Sequence, residues 1–245
     1  MNKQEVGVII LGGGYGTRIK KELGKKPKPL AIVSKKPFLY WIIQFLMKQG
    51  LSNIIIATHY AHEQINNYID QMNVNGLNIS SVYENFPLGT GGAVINAIVK
   101  TKEKYKYYLI LNGDSLLTDK FCKLFNISAD VSVDGSIYAV HLDDTSRFGT
   151  VIFDSKQFLR GFKEKTPDEG YVNAGIYFFK SKFIHKFIDK IENFSLENEF
   201  FPEVINKGYK IKTFLSNESF IDIGTPESLI KADAFININY NKLMK

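Results

Sequence analysis

The sequence predicts an α/β fold: a mixed, mainly parallel sheet flanked by helices, with a smaller antiparallel portion towards the C-terminal side. Three observations carry that prediction. Short continuous apolar runs at Val6–Leu11, Asn53–Thr58 and 107–111 read as strands buried on both faces. Stretches with helical spacing of apolar residues separate them, as a parallel sheet with crossover helices requires. After Asn112-Gly113-Asp114 the strand-like runs become short and closely spaced, which predicts antiparallel or mixed pairing.

Taken in order, Val6–Leu11 is the first strand and runs straight into a glycine cluster. Residues 37–49 place Phe38, Trp41, Ile42, Phe45 and Leu46 at helical spacing, and Gly50 is a natural stop. Asn53–Thr58 is a β-branched strand, 61–71 a more polar helix, 77–83 a strand, 91–100 a helix and 107–111 a strand. In the second half 136–140, Thr150–Phe153, 158–162 and 174–179 read as short strands, and 183–191 and 197–206 as helices. Strands at 209–215 and 220–223 follow, and Thr225-Pro226-Glu227 opens a final helix with N-cap and N1-proline chemistry. No repeat, low-complexity tract or Pro/Ser-rich linker interrupts the pattern. The expectation is a single domain over 1–245, with halves at 1–115 and 116–245.

Composition narrows the function classes. With 44% hydrophobic and 23% charged residues the chain is globular rather than disordered. No apolar run reaches the ~20 residues that span a bilayer, and the N-terminal residues lack the shape of a signal peptide. One cysteine, Cys122, forms no internal disulfide and fits a reducing compartment, so the expected location is the cytoplasm. Cys122 lies between Phe121 and Leu124 on an expected helix, with core packing as its expected role. The four histidines show no spacing suited to zinc. A solvated, lysine-rich surface accounts for most of the net charge of +6. It does not account for the crowding of Arg18, Lys20, Lys21, Lys25, Lys26, Lys28, Lys35 and Lys36 around the glycine cluster, with only Glu22 opposing them. That clustering points to a small anionic substrate rather than to nucleic acid or a membrane. Whether copies of the chain associate stays open.

The cluster reads Leu11-Gly12-Gly13-Gly14-Tyr15-Gly16-Thr17-Arg18, followed by Lys26-Pro27-Lys28-Pro29. Glycines let backbone N–H groups approach an anion, and Arg18 and Lys28 add fixed charge beside them. The combination describes a polyphosphate cradle. It is not a Walker A loop, since no Gly-Lys-Ser/Thr follows. Nor is it a dinucleotide fingerprint: Thr17 occupies the third glycine position, and Ile32 and Val33 stand where an acidic residue is needed.

Together with Pro27-Lys28-Pro29, the glycine segment resembles that of the sugar-1-phosphate nucleotidyltransferases. Further segments follow in that family's order. Asn112-Gly113-Asp114 resembles its metal-binding turn, Phe148-Gly149 its substrate loop and Glu164-Lys165 its sugar-phosphate pair. Asn173-Ala174-Gly175-Ile176-Tyr177 resembles its sugar-pocket strand, and Asp222-Ile223-Gly224-Thr225-Pro226 its second metal segment. The resemblance implies a Rossmann-like fold with a nucleotide-binding half at 1–115 and a sugar-phosphate-binding half at 116–245, whose smaller antiparallel portion binds the sugar. It also implies the reaction: a sugar 1-phosphate attacks the α-phosphorus of a nucleoside triphosphate and releases pyrophosphate. The implied catalytic residues are Arg18, Lys28 and Asp114. Those expected at the nucleotide are Leu11, Gly12, Gly13, Gly14, Gly16, Thr17, Arg18, Glu84, Gly89, Thr90 and Asn112. Gly149, Glu164, Lys165, Asn173 and Tyr177 are expected at the sugar phosphate, and Asp114 and Asp222 at Mg2+. Magnesium favours one or two carboxylates completed by phosphate oxygens and water. Taken singly, either aspartate also reads as a turn-forming or capping residue.

The segment after Arg18 departs from the family members that make dTDP- or UDP-glucose. Ile19-Lys20-Lys21-Glu22-Leu23 stands where they carry Leu-x-Pro-Leu-Thr. With Glu84-Asn85-Phe86-Pro87-Leu88-Gly89-Thr90-Gly91-Gly92, the chain is most similar to the members that transfer guanylyl to D-glycero-α-D-manno-heptose 1-phosphate. Their GDP-heptose feeds surface polysaccharide assembly. Glu84 could accept from guanine N1–H and its amino group, or could be a solvated loop carboxylate. The alternatives are a UTP- or dTTP-dependent hexose-1-phosphate enzyme, and a non-catalytic regulator that binds a nucleotide sugar. The second conflicts with the joint presence of Arg18, Lys28, Asp114, Lys165 and Asp222.

Overall fold

Strand β1 (Val6–Leu11) lies between two parallel neighbours and is buried along nearly its whole length in the computed structural model, which describes residues 2–101, 103–163 and 167–244. In chain order it is followed by a one-turn helix α1 (Lys20–Leu23), a hairpin of β2 (Ile32–Val33) and β3 (Lys36–Pro37), and helix α2 (Phe38–Lys48). Then β4 (Asn53–Thr58), α3 (His62–Asp70), β5 (Asn78–Tyr83), α4 (Gly89–Lys100) and β6 (Tyr107–Asn112) alternate. The remainder comprises β7 (Ser115–Leu117), α5 (Cys122–Asn126), β8 (Gly135–Leu142), β9 (Thr150–Phe153), β10 (Leu159–Lys163) and β11 (Gly170–Lys180). It closes with α6 (Ser181–Ile184), α7 (Phe201–Asn206), β12 (Ile211–Ser216), β13 (Phe220–Asp222) and the long α8 (Pro226–Met244).

Among the described residues nine strands share one sheet. β5, β4, β1 and β6 run parallel. β11 lies antiparallel to β6 and to β8, and β12 returns parallel to β8. The β9–β10 hairpin joins the N-terminal part of β11 through Thr150 and Val172. This is the α/β class with a mainly parallel sheet and an antiparallel portion that the sequence predicts. Leu11 pairs with both Ala57 and Asn112, so the loops after β1, β4 and β6 leave the sheet at one level. The carboxyl ends of parallel strands are where such sheets bind ligands.

Both faces of β1 are covered, as an unbroken apolar run demands. Val6, Val8 and Ile10 join a core with α2 and α8, whereas Ile9 joins a second core with α4, Phe183, Phe200 and Phe201. Helix α8 begins as predicted: Pro226 occupies the first position and Thr225 Oγ1 accepts from the Ser228 N–H at 3.3 Å. Segment 192–196 crosses the N-terminal turn of α4 at close range. A Cβ on Gly92 would lie 2.0 Å from the Glu192 carbonyl oxygen, and one on Gly91 2.1 Å from the Phe194 ring. Those glycines therefore seat a neighbouring segment.

Three expectations change. The predicted helix 183–191 is shorter: α6 ends at Ile184 and tightens into a 3-10 turn, His185–Phe187. The predicted helix 197–206 begins with a wide π-turn, Leu196–Phe200, before α7. Pro202 has no N–H to give to the carbonyl four residues back, which favours the wider turn ahead of it. Cys122 is exposed rather than packed in the core. Phe121 and Leu124 take the inward face around α5, which turns position 122 outward.

Candidate active site

Two adjoining cavities open along the carboxyl edge of the parallel strands. The first, of about 310 Å³, is walled by Leu11–Tyr15, His59, Glu84, Pro87–Thr90, Ala93 and Asn112–Asp114. The second, of about 530 Å³, is walled by Gly16, Thr17, Arg18, Arg147–Gly149, Phe162, Lys163, Asn173, Glu197, Asn198, Asp222 and Gly224. Lys28, Asn112 and Asp114 border both. A site with two compartments and a shared cation at their junction suits two anionic substrates that must meet.

Each side chain at the junction is placed by a local device. Gly16 adopts φ 60°, a left-handed conformation that glycine enters without steric cost, and turns the chain into the 3-10 turn Thr17–Ile19. Ile19 is fully buried and pins that turn, leaving Arg18 exposed at the second cavity. Pro27 and Pro29 restrict the backbone on either side of Lys28, and Pro29 is buried at the floor of the first cavity. Lys28 Nζ then reaches Asp114 Oδ2 at 2.7 Å.

Asp114 sits in the turn between β6 and β7, and Asp222 is the last residue of β13. These two short strands pair with Ser115 opposite Asp222, and the Ile223 N–H donates to the Asp114 carbonyl at 2.9 Å. Ser115 Oγ lies 3.3 Å from Asp114 Oδ1 and 3.4 Å from Asp222 Oδ2, within reach of both carboxylates. Burial, and then the neighbouring Asp114 charge, push the Asp222 carboxyl above its ordinary range, although the Gly224 N–H, Lys28 and Arg147 oppose the shift. Arg147 donates to Asp222 Oδ1 at 3.0 Å. Two carboxylates held together against their own repulsion form a donor set suited to a divalent cation. Among the described residues no three His, Cys, Asp or Glu side chains converge on one point.

In the first cavity Glu84 is buried, at 4% exposure, and its Oε2 accepts the Leu88 N–H at 3.3 Å. It is not a solvated loop carboxylate. Burial pushes its carboxyl above the ordinary value, while the Leu88 N–H, His59 and Lys100 pull the other way. His59 Nδ1 lies 2.8 Å from the Glu84 carbonyl, which makes it the donor there, and its Nε2 meets the Tyr15 hydroxyl at 3.0 Å. The glycine cluster, the strand end of β4 and the loop after β5 are thus joined around one pocket.

The structure brings most expected residues to these walls. Leu11, Gly12, Gly13, Gly14, Glu84, Gly89 and Thr90 border the first cavity, and Gly16, Thr17, Arg18, Gly149, Asn173 and Asp222 the second. Tyr177 is fully buried, so its ring belongs to the core and faces no cavity. Its hydroxyl accepts from Asn173 Nδ2 at 2.8 Å and donates to Glu197 Oε1 at 2.6 Å, standing behind two residues of the wall. Glu164 and Lys165 lie outside the described residues. Arg147, Glu197, Asn198, Lys163 and His59 were not anticipated. Arg147 adjoins the flagged Phe148-Gly149 and Lys163 the flagged Glu164-Lys165; for the others no motif offered a signal.

The family model described as nucleotidyl transferase matches residues 7–238. The chain is 37% identical over 226 residues to D-glycero-alpha-D-manno-heptose 1-phosphate guanylyltransferase of Aneurinibacillus thermoaerophilus, covering 91% of this chain and 95% of that protein. It is 35% identical over 225 residues to the enzyme of the same description from Campylobacter jejuni, covering 89% and 95%. The crystal structure of HddC from Yersinia pseudotuberculosis complexed with GMP-PN superposes with a TM-score of 0.79 at 33% identity, covering 94% of this chain and 98% of that one.

Proposed function

This chain belongs to the nucleotidyl transferase family, and from that premise we propose that it joins GTP to D-glycero-α-D-manno-heptose 1-phosphate, releasing pyrophosphate and forming GDP-heptose. The observation that carries the reading is the pair of cavities meeting at Lys28 and Asp114. The first would take the guanosine triphosphate and the second the sugar phosphate. Relatives matched over nearly their whole length carry the guanylyltransferase description, which supports this base and sugar.

In the reaction an oxygen of the sugar 1-phosphate forms a bond to the α-phosphorus, and the bond from that phosphorus to the bridging oxygen breaks. The electron pair leaves with pyrophosphate. Transfers of this kind depend on positioning and charge neutralisation rather than on covalent catalysis. Lys28, between the compartments, would neutralise charge that builds at the α-phosphate. The triphosphate would extend from the first cavity past Lys28 to Arg18 at the mouth of the second, and the glycine cluster would offer backbone N–H groups to its oxygens. The Asp114–Asp222 pair would hold Mg2+, which supplies charge neutralisation at phosphate oxygens when bound. Glu84, once ionised, would accept both the N1–H and the amino group of guanine. Adenine and the pyrimidines do not present that pair of donors.

Incubating the protein with heptose 1-phosphate, magnesium and each of GTP, ATP, CTP, UTP and dTTP, and identifying products by mass, tests the reading. GDP-heptose from GTP is expected. A product formed from UTP or dTTP with a hexose 1-phosphate, and none from GTP, would replace this assignment with the alternative one.

A further inference from the structure

Glu197 is not needed to explain chemistry at the α-phosphorus, yet its carboxylate, on the wall of the second cavity, gathers a hydroxyl from the wall of the first and another that stands behind the second. Thr90, in the first turn of α4 and on the wall of the first cavity, donates from Oγ1 to Glu197 Oε2 at 3.1 Å. Tyr177 donates to Glu197 Oε1 at 2.6 Å and itself accepts from Asn173, on the wall of the second cavity. Ser195 Oγ adds a third donor at 2.9 Å. The Thr90 hydroxyl accepts from the Leu196 N–H at 2.8 Å, which orients its proton towards the carboxylate. The donors of the chain Thr90–Glu197–Tyr177–Asn173 therefore converge on the Glu197 carboxylate, Thr90 from one side and Asn173 through Tyr177 from the other.

We propose that Glu197 is a positioning residue that couples the two substrate compartments, so that nucleotide seated against Thr90 organises Asn173 for the sugar phosphate.

The backbone gives this link little slack. The Gly91 N–H donates to the Phe194 carbonyl at 2.9 Å, and the Phe194 N–H to the Leu88 carbonyl at 3.1 Å. The segment bearing Glu197 therefore moves with the start of α4. At the other end, Asn173 Oδ1 accepts the Gly175 N–H at 2.9 Å, which fixes the amide that faces Tyr177. Burial and the adjacent Glu197 charge push the Tyr177 phenol well above its ordinary value, so it stays a donor at any working pH. A shift of α4 on nucleotide binding reaches Asn173 through three hydrogen bonds, and by reciprocity sugar-phosphate binding reaches Thr90.

The inference rests on the assignment of GTP to the first cavity and heptose 1-phosphate to the second. It is tested by titrating heptose 1-phosphate calorimetrically into the whole protein with magnesium, alone and saturated with α,β-methylene-GTP, which cannot transfer its guanylyl group. In the native protein the analogue should tighten the sugar phosphate by about fivefold or more, the lower end of ordinary coupling. Thr90→Val and Tyr177→Phe should each bring the ratio to within about twofold of unity. Thr90→Ser, which keeps the hydroxyl, should retain it. Melting curves for all variants guard against loss of fold, and Tyr177→Phe carries the test if Thr90→Val unfolds. Variants that bind each ligand more weakly but keep the native ratio would reduce the network to a structural role and overturn the inference. A native protein that turns over GTP and heptose 1-phosphate without coupling would overturn it as well. A native protein that binds neither ligand and makes no product would overturn the assignment beneath it.

Discussion

Glu84 is set against its own ionisation by the pocket that holds it. Burial raises its carboxyl pKa, and the nearby N–H of Leu88 and the charges of His59 and Lys100 only partly offset this. A folded-state pKa raised above the ordinary 4.5 means that ionised Glu84 destabilises the fold. The penalty is absent below the unfolded value, grows as pH rises from there towards the folded one, and is complete above it. Glu84→Gln should therefore raise Tm at neutral pH, with the difference vanishing below about pH 4.5; a calorimetric pH series checks it. The same change should lower kcat/KM for GTP by ~10- to 100-fold, as hydrogen bonds to a charged group contribute ~1.5–3 kcal/mol. Lys28 differs in kind, because its partner Asp114 sits where the compartments meet. Lys28→Met should reduce kcat by ~10²–10³, the size seen when one preorganised charge-stabilising donor is lost. An effect confined to KM would assign Lys28 to ground-state binding. Asp114→Asn should depress magnesium-dependent turnover by a similar ~10²–10³, and titrating the variant with Mg2+ should show a raised half-saturating concentration.

At the scale of elements, the start of α4 governs whether the walls of the site fit together. Gly92→Ala would place a methyl group 2.0 Å from the Glu192 carbonyl oxygen, a backbone atom with little freedom to yield. The cost should be about 1–3 kcal/mol, and in a chain of this size roughly 2–4 °C in Tm for each kcal/mol. Gly14→Ala, with nothing within 4 Å of the added carbon, should leave Tm nearly unchanged. Differential scanning calorimetry of both separates close packing from loop flexibility. The elements legible in the sequence are those whose environment is uniform. β1, β4 and β6 are apolar without a break because both faces are covered, and α2 repeats at helical spacing because one face is. The elements misjudged are those where tertiary contact overrides spacing. Phe183, Ile184 and Phe187 have the spacing of a helix, yet the chain tightens after Ile184 as these residues pack into the aromatic cluster around Phe200.

For the molecule as a whole, the sheet collects at one edge residues that the sequence holds far apart. The glycine cluster, Lys28 and Asp114 could be read from motifs, because phosphate chemistry requires glycines and cations at close spacing. Glu197, Arg147 and His59 could not. A glutamate, an arginine and a histidine in separate loops acquire meaning only when the π-turn before α7, the loop between β8 and β9 and the end of β4 bring them to the cavities. Tyr177 failed in the opposite sense, since its place in a recognisable segment suggested contact with the sugar, whereas β11 turns its ring into the core. The central claim is that the compartments meet so that the α-phosphorus, and no other, is transferred. Parallel reactions with GTP labelled with 32P at the α or the γ position test this most directly. The account predicts that the α label enters the nucleotide sugar and the γ label leaves as pyrophosphate. Label from the γ position on the sugar, or γ label released as inorganic phosphate without pyrophosphate, would contradict it.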